Sequence, residues 1–73
     1  MRGINVLAML VREIATDLII DQIEAGDIVN AAKNAKLIRN CNTVALLAEQ
    51  DYAKHAEAVA DVYSMAVIWE LIK

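Results

Sequence analysis

The sequence predicts an all-α protein, because its composition and its apolar spacing both favour helix along nearly the whole chain. Its 73 residues include no proline and only two glycines, and 59% of them are hydrophobic. Strong helix formers such as alanine and leucine dominate, and no hairpin signal occurs. Apolar residues recur at alternating spacings of three and four. We therefore predict one helical domain over residues 1–73, a three-helix unit with a short middle helix and a long C-terminal helix, forming a helical-bundle homo-oligomer.

The first helix is predicted from about Asn5 to Glu24. Gly26 supplies the stop signal that commonly follows the last turn of a helix. The apolar seam of this helix consists of Ile4, Leu7, Val11, Ile14 and Leu18.

The second helix is predicted to begin after Asp27, a preferred N-cap residue, and to end at Arg39. The asparagines and threonine at 40–43 favour a connection, with Asn42 or Thr43 as the next N-cap. The seam of this short helix consists of Ile28, Ala31, Ala35 and Ile38.

The third helix is predicted to run unbroken from Val44 to the end of the chain, a length of about 45 Å. Beyond Ser64 its polar side disappears, so the last turns are apolar around most of their circumference. The apolar stripe of this helix consists of Ala48, Tyr52, His55, Val59, Val62, Ala66 and Trp69.

Such a short chain has little core of its own in which to bury this apolar surface. We therefore predict a homo-oligomer, most simply a homodimer, in which helices of different chains cover one another. Trp69 is the first choice of interface residue because tryptophan often anchors protein contacts. The predicted interface residues are Val67, Ile68, Trp69, Leu71 and Ile72 near the C-terminus, and Met9, Ile20 and Ile23 on the first helix.

The charge distribution offers an alternative function. The chain carries a formal net charge of −3, yet residues 27–42 carry +2. Nucleic acid or a nucleotide is the alternative ligand of this segment, because cations and amides contact phosphates and base edges. The alternative to a ligand site is that these cations only neutralise the acidic helices on either side of the segment. The residues predicted for polar or phosphate contact are Lys33, Lys36, Arg39, Asn30 and Asn34.

Few residues suggest catalysis. His55 lies four residues after Asp51, and Cys41 is a lone thiol, but neither belongs to a recognisable motif. A metal site needs three or four ligands at compatible spacing, and no such group or cofactor motif is present. We predict a protein that is not an enzyme and uses no cofactor or metal, in which His55 is a hydrogen-bonded seam residue.

The single cysteine excludes an internal disulfide, which favours a cytoplasmic location. The apolar run after Arg2 superficially resembles a signal peptide, but Asn5 and the charged pair Arg12 and Glu13 interrupt it. No apolar stretch reaches the length of a membrane span. We therefore expect a soluble protein without a membrane partner.

Taken together, these features predict a small non-catalytic protein that self-associates and binds another macromolecule. It would act as an inhibitor, adaptor or regulatory subunit by covering or scaffolding its partner with helix faces. The predicted partner is another protein. Nucleic-acid binding that weakens steeply with salt and is lost in Lys36→Glu would instead support the alternative.

Overall fold

A computed structural model describes residues 3–72. Its elements are α1 (Ile4–Glu24), α2 (Ile28–Ala45), a 3₁₀-helix (Glu49–His55) and α3 (Ala56–Ile68). The first two helices form an antiparallel hairpin, and α3 packs against both. No strand occurs among the described residues. The predicted all-α fold of three helices is confirmed.

The three helices share one apolar core. Small side chains contribute much of it, since Ala8, Ala15, Cys41 and Ala66 are fully buried. Leu7, Trp69, Leu71 and Ile72 are partly buried against its rim. The fully enclosed residues are Ile4, Ala8, Val11 and Ala15 of α1, Leu37, Cys41 and Val44 of α2, and Val62 and Ala66 of α3.

The turn between α1 and α2 follows the predicted signals. Gly26 has a left-handed φ of 76°, and the Asp27 N–H donates to the Gln22 carbonyl over 2.8 Å. This is a Schellman motif, in which glycine is favoured because it lacks a Cβ. The Asp27 carboxylate then accepts from the Asn30 N–H and caps α2. The end of α1 at Glu24, the stop signal at Gly26 and the N-cap at Asp27 are therefore confirmed.

The predicted connection at residues 40–43 is wrong, because α2 continues to Ala45 and is 18 residues long. Leu37, Cys41 and Val44 are buried on one side of α2 at helical spacing. Burial of that side outweighs the weak turn preference of asparagine and threonine. The middle helix is therefore not short.

The prediction of one long C-terminal helix is also wrong. The chain leaves α2 at Leu46, becomes extended at Ala48, and passes through the 3₁₀-helix before α3 begins. The α3 helix itself has only 13 residues. His55 lies at the junction as the N-cap residue of α3 and is exposed, so the prediction of a seam histidine is wrong as well.

The side chain of Asn5 holds this break in place. Its Nδ2 donates to the carbonyls of Val44 at 2.8 Å and Leu47 at 3.0 Å, and more weakly to that of Ala45 at 3.3 Å. Its Oδ1 accepts from the Tyr52 hydroxyl at 3.1 Å. Carbonyls at a helix C-terminus have no partner within the helix, so Asn5 satisfies them from α1. One amide thereby ties together α1, the end of α2 and the 3₁₀-helix.

The apolar C-terminus folds back on its own chain. The Leu71 N–H donates to the Ala66 carbonyl at 2.8 Å and the Glu70 N–H to the Val67 carbonyl at 3.0 Å. This second Schellman motif places Glu70, with a φ of 60°, at the position that Gly26 occupies after α1. The reversal directs Leu71 and Ile72 onto the core. Part of the apolar tail is therefore covered from within the molecule.

The two turns predict opposite effects of matched substitutions. A side chain at left-handed φ costs about 1 kcal/mol relative to glycine. We therefore expect Glu70→Gly to raise the free energy of unfolding by about 1 kcal/mol, and Gly26→Ala to lower it by a similar amount. An added Cβ at Gly26 meets no atom within 4 Å, so the cost there comes from the backbone alone. Urea denaturation of both variants checks this, and destabilisation by Glu70→Gly would contradict it.

Candidate functional site

An open groove between the three helices brings together most of the polar residues predicted from the sequence. Its volume is about 620 Å³, within the range of small-molecule and peptide-binding clefts. Lys33 and Lys36 of α2 line it together with Glu57 and Asp61 of α3. The apolar residues along it are Leu18, Leu37, Met65 and Trp69. The groove therefore combines an apolar surface with charges of both signs.

The asparagines at the groove are engaged with neighbouring side chains. The Asn30 Nδ2 donates to Asp27 at 2.7 Å, and the Asn40 Nδ2 donates to Asp61 at 2.7 Å. The Asn34 Nδ2 donates to Gln22 of α1 at 3.0 Å. These bonds give each amide a structural role in capping α2 or joining helices.

The basic residues of α2 are separated. Lys36 faces Glu57 at 3.9 Å, and both side chains are mostly exposed, so this ion pair adds little stability. Lys33 lines the groove without an ion pair among residues 3–72. Arg39 is exposed and does not line the groove. The structure thus brings together Lys33, Lys36, Asn30 and Asn34, but not Arg39.

The predicted C-terminal interface residues divide into two groups. Trp69, Leu71 and Ile72 are partly buried against the core of their own chain, and Trp69 also lines the groove. Val67 and Ile68 remain exposed on the last turn of α3. Of the five predicted C-terminal interface residues, only Val67 and Ile68 therefore have mostly exposed apolar side chains.

The outer face of α1 carries the larger apolar surface. Met9, Ile20 and Ile23 are each more than half exposed, and they lie on the side of α1 opposite its buried residues. Val6 and Leu10 extend this face, although neither is among the predicted interface residues. Val6 precedes Met9 by three residues and Leu10 follows Val6 by four, and this helical spacing was the signal that could have found them. The exposed large apolar residues among those described are Val6, Met9, Leu10, Ile20, Ile23, Ile28, Val29, Leu46, Tyr63, Val67 and Ile68.

Cys41 is a core residue whose environment disfavours the thiolate. Burial, reinforced by the negative charge of Asp61 and opposed by Arg12, raises the pKa of Cys41 to about 11. Since the thiolate is the reactive form, the Cys41 thiol is unreactive at neutral pH. Arg12 approaches this region through a 2.9 Å bond from its Nη1 to the Asn42 Oδ1.

The raised pKa of Cys41 predicts a loss of stability at alkaline pH. The unfolded state releases the thiol proton near pH 9, whereas the folded state retains it until about pH 11. The protonated thiol therefore makes its full contribution to the free energy of unfolding below pH 9. As the pH rises toward 11, the free energy of unfolding falls by about 1 to 2 kcal/mol. Urea denaturation at pH 8 to 11 measures this decline. Cys41→Ala is the control, and equal slopes for both proteins would contradict the assignment.

Within residues 3–72, no three histidine, cysteine, aspartate or glutamate side chains lie close enough together to hold a metal ion. None of the helices in the described part combines the length and apolar character needed to cross a membrane.

Comparisons with known proteins add no family. No protein-family model matches the chain, and neither the curated proteins nor the solved structures include a significant match.

Proposed function

We propose that this protein is a non-catalytic binding protein that self-associates and engages a protein partner as an inhibitor, adaptor or regulatory subunit. The observation that carries the proposal is the apolar outer face of α1, where Met9, Ile20 and Ile23 are more than half exposed. Isolated exposed apolar residues are common, but a face that follows one helix for most of its length is typical of an interaction surface.

Homodimerisation is the simplest use of this face. The opposite side of α1 already packs on α2 and α3, so a second copy would enclose the helix. A stable interface commonly buries about 800 Å² per partner, roughly a sixth of the 4941 Å² accessible surface.

The groove is the surface that we assign to the partner. Its lining residues on α1, Leu18 and Gln22, lie toward the interior and away from the outer face. Dimerisation through the outer face would therefore leave the groove open. Glu57 and Asp61 place negative charge beside Lys33 and Lys36, which suits a polypeptide segment better than a phosphate backbone.

A non-catalytic role agrees with the chemistry of the candidate residues. The Cys41 thiol is buried and carries a raised pKa, and His55 is exposed on another element without a hydrogen-bonded side-chain partner in the described part. We place the protein in the cytoplasm, where a lone buried thiol stays reduced.

The proposal predicts that one charge on the outer face of α1 disrupts the oligomer. Met9→Glu would place a carboxylate in a desolvated contact, and we expect it to weaken self-association by about 100-fold or more. Size-exclusion chromatography with light scattering measures the change in mass.

Ala32→Glu is the matched control, because Ala32 is exposed on α2 and lies outside this face. It should leave the mass of the oligomer unchanged, and circular dichroism should show both variants folded. Equal masses for wild type and Met9→Glu would contradict the proposed surface.

A further inference from the structure

The outer face of α1 contains a regular stripe. Its members are separated by three, four, three, four and three residues, the spacing of a seam between two packed helices. All of them are exposed. The α1 stripe consists of Val6, Met9, Glu13, Thr16, Ile20 and Ile23.

The spacing of the α1 stripe reads the same from either end. A two-fold axis between residues 14 and 15 would therefore superpose the stripe of an antiparallel second copy on itself. Met9 would then oppose Ile20, and Val6 would oppose Ile23, so apolar residues meet apolar residues. Glu13 would oppose Thr16, a small polar residue. The pattern is self-complementary in the antiparallel orientation.

A parallel orientation is less favourable. There each residue opposes its own copy, so two Glu13 carboxylates would face each other in a partly desolvated contact. Asp21 and Glu24 in the last turns of α1 would also approach their copies. In the antiparallel pair, these acids lie instead near the first turn of the second α1, where the helix dipole favours negative charge.

We propose that two copies of this chain pair through their α1 stripes in antiparallel orientation, with Met9 of each copy beside Ile20 of the other. The inference rests on the proposed self-association and adds its surface, symmetry and register. Each α1 would then be enclosed between its own core on one side and a second α1 on the other.

Disulfide crosslinking between single-cysteine substitutions distinguishes the orientations. In the proposed pair, Met9 and its own copy are separated along the helix axis by 11 residues, or about 16 Å. A disulfide requires Cβ atoms about 4 Å apart. Met9→Cys alone and Ile20→Cys alone should therefore crosslink poorly, whereas a mixture of the two variants should crosslink well.

We expect mild oxidation of the mixture to give at least tenfold more covalent dimer than oxidation of either variant alone. Peptide mapping should show the bond between positions 9 and 20. Wild-type protein treated in parallel is the control for Cys41. Efficient crosslinking of Met9→Cys alone, or a mixture that crosslinks no better than the single variants, would overturn the antiparallel register.

Sedimentation of the wild type separates this inference from the proposal on which it rests. A dimeric wild type without the crosslink between positions 9 and 20 would leave self-association standing and refute the register. A monomeric wild type at the crosslinking concentration would refute both.

Discussion

Asn5→Leu is expected to lower the free energy of unfolding by about 3 kcal/mol. The carbonyls of Ala45 and Leu47 and the Tyr52 hydroxyl lose the partner that Asn5 provides, and the Val44 carbonyl keeps only the Leu47 N–H. Each hydrogen bond contributes about 1 kcal/mol net, and an unpaired group that remains partly buried costs more. Leucine has nearly the same shape as asparagine, so packing changes little. Urea denaturation followed by circular dichroism measures the loss.

Two controls separate the parts of this network. Tyr52→Phe removes only the bond to the Asn5 Oδ1 and should cost about 1 kcal/mol. Asn42→Leu removes one exposed bond from Arg12 and should change stability by about 0.5 kcal/mol or less. An effect of Asn5→Leu no larger than that of Asn42→Leu would contradict the role assigned to Asn5.

Ile4→Ala is expected to cost about 3 kcal/mol, because it removes a fully enclosed side chain and leaves a cavity. Ile4 is 0% exposed and is among the largest fully buried residues. For a domain of this size, such a loss lowers the melting temperature by roughly 10 to 20 °C. Thermal unfolding monitored by circular dichroism measures the shift.

Ile28→Ala is the matched control, because Ile28 is also the first residue of a helix but is 62% exposed. In the isolated chain it should cost about 0.5 kcal/mol or less. Comparable losses for the two variants would contradict the assignment of Ile4 to the enclosed core.

This pair of isoleucines also shows where sequence reasoning succeeds. The α1 seam is predictable because its apolar spacing continues over several turns and ends at a glycine. Ile4 and Val11 of that seam are indeed enclosed, whereas Leu7, Ile14 and Leu18 are half-buried at its edges. Ile28 was predicted on the α2 seam but is 62% exposed, because the side of α2 that packs on the core runs through Leu37, Cys41 and Val44 instead.

The breaks in the second half of the chain depend on contacts that local sequence does not encode. Asn5 holds the end of α2 from about 40 residues away, and no proline or glycine marks residues 46–48. Glu70 occupies a left-handed position where glycine is the usual signal. The continuation of α2 was nevertheless readable, because Leu37, Cys41 and Val44 maintain helical spacing through residues 40–43.

The candidate site was predictable in part. Helical spacing placed Lys33, Lys36, Asn30 and Asn34 on one segment, and the structure gathers them at one groove. Glu57 and Asp61 were not among the residues predicted for the site. Their place in the groove depends on the angle at which the shorter α3 crosses the hairpin, which local sequence does not specify.

Sedimentation equilibrium of the wild-type chain over a dilution series tests most directly the claim that a second copy covers the outer face of α1. The chain has a mass of 8.0 kDa. We predict a mass near twice that value at concentrations of about 10 μM and above, falling toward the monomer on dilution. A constant monomer mass up to about 1 mM would contradict the claim, because the outer face of α1 would then remain exposed to water.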